Sequence, residues 1–91
     1  MNDKNPKFIA KPRLRELLRE NGKFKSQKEF AVAVGVKEPT ISRFDSQTRY
    51  DINTLASISR VLGVSIDDLF VIEENKDFEE KMYIHINLDN E

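Results

Sequence analysis

Apolar residues recur at helical spacing through most of the chain and at strand spacing near its end. Leu14, Leu17 and Leu18 fall at i, i+3 and i+4, with Arg13, Arg15, Glu16, Arg19 and Glu20 on the other side. That pattern predicts an amphipathic first helix, begun by Pro12 and ended by Asn21-Gly22. Phe30, Ala31 and Val34 mark a second helix. Ser26 stands at its N-cap and Glu29 three residues on, the spacing of a capping box, so the helix opens at Gln27. Gly35 stops it, because only glycine takes the left-handed conformation without steric cost. Val36 then points inward, Pro39 suits the first turn of a third helix over 37–44, and Ile41 and Phe44 give that helix a buried side.

Residues 45–50, DSQTRY, form a polar loop without apolar periodicity. Asp51 caps a fourth helix whose stripe is Ile52, Leu55, Ile58 and Leu62, and Gly63 ends it. Ser65 and Asp68 repeat the capping-box spacing and open a short fifth helix carrying Ile66, Leu69 and Phe70. The ends differ from this middle. Residues 1–11 are a polar, lysine-bearing arm interrupted by Phe8-Ile9-Ala10, read as a frayed terminus tucked onto the core or as a basic arm (Lys4, Lys7, Lys11) reaching along a polyanion. Residues 71–81 are acidic and read as a linker or a frayed helix. Residues 82–88 alternate strictly, with Met82, Ile84, Ile86 and Leu88 on one face and Tyr83, His85 and Asn87 on the other, which is a strand pattern. A lone strand needs a partner for its backbone groups. Three arrangements stand open: the same strand of a second copy, residues 7–10 of its own chain, or disorder.

Ninety-one residues suit one domain with one modest core, burying about 60% of the unfolded surface. The chain has no cysteine, hence no disulfide framework and no thiolate metal site, and a reducing cytoplasmic setting is expected. No apolar run approaches the roughly 18 residues of a membrane span. The net charge of −1 conceals a strong polarity: residues 1–50 hold twelve Lys or Arg against six Asp or Glu (+6), and residues 51–91 hold three against ten (−7). The basic half contains the second and third helices and can attract phosphates. An enzyme is poorly supported, since there is one histidine, His85, no glycine-rich phosphate loop, and the adjacent pairs Asp67-Asp68 and Glu79-Glu80 diverge on a helix. No catalytic residue, metal ligand or cofactor is expected.

Two helices joined as closely as the second and third can bury their faces only by crossing steeply, the helix-turn-helix arrangement. Residues 26–44, SQKEFAVAVGVKEPTISRF, resemble the helix-turn-helix of the phage-repressor family, the Xre or Cro-like DNA-binding proteins. The matching positions are Gln27 opening the first helix, Ala31 at the crossing, Gly35 in the turn, Val36 after it, Ile41 in the second helix and Phe44 closing it. The likeness extends over about 13–70. It implies an all-α, five-helix lambda-repressor-like domain over 12–71, preceded by the arm 1–11 and followed over 72–91 by the acidic linker and a C-terminal β-strand available for pairing across a dimer. The chain departs from the pattern at three places: 23–25, Lys-Phe-Lys, where relatives usually have one apolar residue; Lys37, where they usually have a Ser or Thr cap; and Pro39, where they often carry a base-contacting side chain. Phe24 is expected to pack on the start of the second helix like a staple, with Lys23 and Lys25 projecting outward.

The resemblance implies that helix 37–44 enters the major groove of double-stranded DNA. Lys37, Glu38, Thr40 and Arg43 are then the expected base contacts, with Arg43 suited to guanine and Glu38 to the cytosine amino group. Gln27, Lys28, Ser42, Ser46, Gln47, Thr48 and Arg49 are the expected phosphate contacts. Met82, Ile84, Ile86 and Leu88 are the expected dimerisation face. The function so implied is a sequence-specific transcriptional regulator, a repressor, working as a homodimer with no membrane association and with or without a protein co-regulator. The competing reading is a protein-binding helix-turn-helix module, an antirepressor or regulator subunit that does not read DNA itself.

Overall fold

The computed structural model describes residues 6–77; Lys4 and the alternating segment 82–88, with Met82, Ile84, Ile86 and Leu88, lie outside the described residues. The chain divides into two compact units, Lys11–Val71 and one formed by the two chain ends. Within the first run the helices α1 (Leu14–Asn21), α2 (Gln27–Val34), α3 (Glu38–Ser42) and α4 (Ile52–Leu62), with single 3-10 turns at Phe44–Ser46 and Asp67–Leu69. Phe30, Phe44, Leu14, Ile58 and Leu69 are its largest fully buried side chains, and Leu17, Ala31, Ile41, Leu55 and Leu62 complete the core around them. Each of α1, α2 and α4 ends on a left-handed glycine, Gly22, Gly35 and Gly63. The fold is mostly helical, as expected. Among the described residues it has four α-helices, and it carries a small sheet that the pattern did not reveal.

Strand β1 (Phe8–Pro12) pairs with β2 (Phe70–Glu74) in a two-stranded sheet. The Asn75 amide donates to the Lys7 carbonyl at 2.8 Å and the Arg13 amide to the Leu69 carbonyl at 2.9 Å. Both bonds follow one antiparallel register, in which Phe8 faces Glu74, Ala10 faces Ile72 and Pro12 faces Phe70. Pro12 therefore falls at a non-hydrogen-bonded position, where its missing N–H is not needed by the ladder. In the unit of chain ends, Asn75 also donates through its side-chain amide to the Pro6 carbonyl at 2.9 Å.

Several expectations change here. From Phe8 onward the N-terminal segment is neither a frayed end nor a free arm, because its backbone is a ladder partner. Pro12 closes a strand and does not begin α1. Arg13 gives its amide to Leu69 and its Nε to the Asp68 carbonyl at 2.9 Å, so the helix starts only at Leu14. The fifth helix is one 3-10 turn. Its cap forms as expected, with Asp68 N donating to Ser65 Oγ at 3.1 Å and Ser65 N to Asp68 Oδ2 at 3.2 Å. The chain then turns extended at Phe70, where the β-branched pair Val71-Ile72 favours a strand once a partner exists. What the pattern read as a linker is, over its first residues, β2.

The stripe of α4 also starts later than expected. Ile52 is 63% exposed, while Leu55, Ile58, Ser59 and Leu62 are buried. A helical side chain covers the turn N-terminal to its own Cα, and at the first residue of a helix that lies beyond the core. Ser59 is small enough to be enclosed, and its Oγ donates to the Ala56 carbonyl at 3.2 Å.

Candidate nucleic-acid interface

Ser26 holds the extended conformation of an N-cap, and its Oγ accepts the Glu29 amide at 3.1 Å. The Glu29 carboxylate does not return to the cap residue: it accepts the Lys25 amide at 2.6 Å, one residue upstream. The box thus extends over the 23–25 insertion and orders its end. Phe24 meets Phe30 edge to face at 5.0 Å between ring centres, the expected staple-like contact. The amides of Gln27 and Lys28 open α2 and have no intrahelical acceptor by geometry, an arrangement that favours an anion. Gln27 is half-buried and Lys28 exposed.

At Gly35, φ is +92°, and the amides of Gly35 and Val36 both donate to the Ala31 carbonyl, at 2.8 and 3.0 Å. This tight exit brings α3 across α2, with Ala31 and Ile41 each 2% exposed in the core. Nothing larger than alanine fits such a position without moving the helices apart.

The third helix is shorter than its sequence pattern suggests. Lys37 is its N-cap without a side-chain cap bond, Pro39 lies in its first turn, and Arg43 ends it at φ −101°, ψ 2°, before the 3-10 turn. A five-residue helix offers little more than one turn of outer surface. Lys37, Glu38 and Arg43 are exposed there and Thr40 is half-buried. Ser42 is half-buried, with Oγ 3.4 Å from the Pro39 carbonyl, and exposed Ser46 directs its Oγ to the Arg43 carbonyl at 3.0 Å. A hydroxyl has one proton, so in this conformation neither serine offers it to a phosphate. In the loop that follows, Gln47 is half-buried while Thr48 and Arg49 are exposed.

Two residues that the sequence pattern left as plain loop hold this surface together. The Asp45 carboxylate accepts the Leu14 amide at 2.8 Å and the Arg15 amide at 3.1 Å, capping α1 from the far end of the motif. The signal available in the sequence was negative: Lys11-Pro12-Arg13 contains no cap for α1, so its first amides require an acceptor from elsewhere. The Tyr50 hydroxyl lies 2.6 Å from the Phe44 carbonyl and 2.8 Å from the Gln47 carbonyl. Its ring packs on Phe44 in a tilted contact at 4.6 Å and meets Phe70 edge to face at 5.4 Å between ring centres. Burial, and second the negative charge of Asp45, raise its pKa above the ordinary 10.0.

Among the described residues no group of three or more His, Cys, Asp or Glu side chains is placed to hold a metal ion. No helix among them is long and apolar enough to cross a membrane. Comparison with curated proteins and with solved structures gives no match. The family model for the Cro/C1-type helix-turn-helix DNA-binding domain matches residues 13–75, from the capped start of α1 through β2. The α2–α3 contact with Ala31 buried, the left-handed turn at Gly35 and this match agree, and the chain belongs to the Cro/C1-type helix-turn-helix DNA-binding family.

Proposed function

We propose that this domain is a sequence-specific regulator of transcription, a repressor that reads the major groove of double-stranded DNA with the segment 37–44. The observation that carries this reading is the short α3 itself. Ile41 anchors it in the core, Lys37, Glu38 and Arg43 stand in solvent, and this surface belongs to the half of the chain with charge +6. Arg43 is the residue assigned to a guanine, as a bidentate donor, and Glu38 to a cytosine amino group, with Lys37 and Thr40 beside them. A good bidentate contact discriminates by about 1–3 kcal/mol. Gln27 and Lys28 at the start of α2, and Ser42, Ser46, Gln47, Thr48 and Arg49 after the reading turn, are assigned to phosphates. The two serines serve once their protons leave the carbonyls they now face. Occupation of a promoter is enough to block it, so repression needs nothing beyond binding.

A homodimer is part of the proposal, with Met82, Ile84, Ile86 and Leu88 as the shared face and half-sites about one helical turn, roughly 34 Å, apart. The supporting observation is the strict alternation of 82–88. The test is selection of bound duplexes from a random pool. A two-fold symmetric sequence should emerge, its preference should relax in Arg43→Ala, and Lys28→Ala should weaken all sequences alike. Equal retention of random and selected duplexes would end this reading in favour of a protein-binding module. For the dimer, deleting residues 81–91 should give a monomer by light scattering, and an unchanged mass would remove that segment from assembly.

A further inference from the structure

By sequence the first helix is electrically mixed, Arg13, Arg15 and Arg19 against Glu16 and Glu20, and it carries no obvious polarity. The folded chain sorts these charges by face. Arg13 faces Glu16 at 3.6 Å and gives its Nε to the Asp68 carbonyl. Glu20 lines a groove on another side of the helix, with Leu17, Asn21, Leu62 and Val64. Arg15 and Arg19, both exposed, instead line a shallow groove shared with Leu18, Phe24, Ser26 and Gln27. Among the described residues neither guanidinium makes an ion pair.

Two carboxylates bonded to the adjoining backbone are engaged. Both Asp45 oxygens accept the amides of Leu14 and Arg15, and the Glu29 carboxylate accepts the Lys25 amide. Two unpaired guanidiniums thus stand beside the opening residues of α2, with exposed Lys23, Lys25 and Lys28 on the adjoining loop and helix. Leu18 and Phe24 supply apolar lining of the same groove, a surface on which arginine stems can lie with their planar heads left to donate.

We propose that Arg15 and Arg19 form a second phosphate-binding surface, which holds the backbone of the duplex outside the bases read by segment 37–44. The inference rests on the proposed reading that this motif docks on duplex DNA, since that places the start of α2 against the backbone. It assigns α1, which none of the expected contacts includes, to the interface. Guanidinium suits this role because it presents several donors in one plane to phosphate oxygens. The contribution is independent of base sequence.

The test is the salt dependence of binding to the selected duplex, measured by fluorescence anisotropy for wild type, Arg15→Ala, Arg19→Ala, the double variant and Arg60→Ala as a charge control on α4. Each lost phosphate contact lowers the slope of log K against log salt by about 0.9. Between about 50 and 200 mM salt the double variant should therefore lose about tenfold less affinity than wild type. Base preference should be unchanged, Arg60→Ala should keep the wild-type slope, and Arg15→Lys with Arg19→Lys should largely restore it. Ethylation interference should show a flanking phosphate whose modification weakens wild type and leaves the double variant indifferent. A wild-type slope in the double variant, or an equal fall in Arg60→Ala, would overturn the assignment. Absence of wild-type binding to any duplex would instead remove the reading on which it rests.

Discussion

Asp45→Ala removes the carboxylate that accepts the Leu14 and Arg15 amides at 2.8 and 3.1 Å, thirty or so residues away along the chain. Arg13, the N-cap of α1, makes no side-chain cap bond of its own, so nothing local replaces what is lost. Truncating an N-cap to alanine costs about 0.5–2 kcal/mol. Here two amides lose a charged acceptor; the Arg15 amide is rehydrated, but the Leu14 amide is partly buried and is not fully served by water. The loss should therefore lie at the top of that range, about 2 kcal/mol. In a domain of this size each kcal/mol displaces Tm by about 4–8 °C, so a fall of about 8–16 °C is expected. Asp45→Asn retains one acceptor oxygen and should lose about half as much. Thermal and urea unfolding followed by far-ultraviolet circular dichroism measure both, at low salt and at about 1 M. The deficit should persist at high salt, because short hydrogen bonds are screened far less than distant charges. Glu16→Gln is the contrast: it removes an exposed partner of Arg13 at 3.6 Å and should stay within about 0.5 kcal/mol of wild type. Asp45→Ala melting at the wild-type temperature would refute the claim that this carboxylate holds α1.

Tyr50→Phe keeps the ring contacts and removes the hydroxyl shared by the Phe44 and Gln47 carbonyls, an expected loss of about 1 kcal/mol by urea unfolding. Because the folded pKa of Tyr50 is raised above 10.0, the unfolded tyrosine releases its proton first; the associated stability is intact below that pH and is lost as pH rises through the folded value. Wild type should therefore show an alkaline loss that Tyr50→Phe lacks, and identical alkaline limbs would count against it. Gly35→Ala meets no atom within 4 Å, so its cost is backbone strain alone at φ +92°, about 1–2 kcal/mol by the same unfolding measurement. Ala31→Leu should lose about 1–3 kcal/mol from overpacking and weaken DNA binding by displacing α3, which a gel-shift titration reads directly.

The helix-turn-helix was legible because its determinants are neighbours in the chain. The Ser26 cap, the Gly35 turn, the Asp51 cap that accepts the Thr54 amide at 3.1 Å, and the Ser65–Asp68 box each join residues within four positions. Sequence spacing measures such contacts directly. The choice of reading residues came from the family resemblance, while the start of α3 after Gly35 and its anchoring by Ile41 came from local spacing. Its true length did not, since the step from α3 to a 3-10 turn at Phe44 is set by how Phe44 enters the core against Tyr50 and Phe70.

By itself, then, the sequence determined where most helices start and stop, which faces are apolar, and that one half of the chain is basic, because each of these depends on residues only a few positions apart. Only the tertiary structure decided that Phe8–Pro12 and Phe70–Glu74 are strands and that Asp45 caps α1. Those outcomes require groups about thirty to seventy residues apart to meet, and no local periodicity encodes which distant acceptor or strand edge a segment finds once the core has closed.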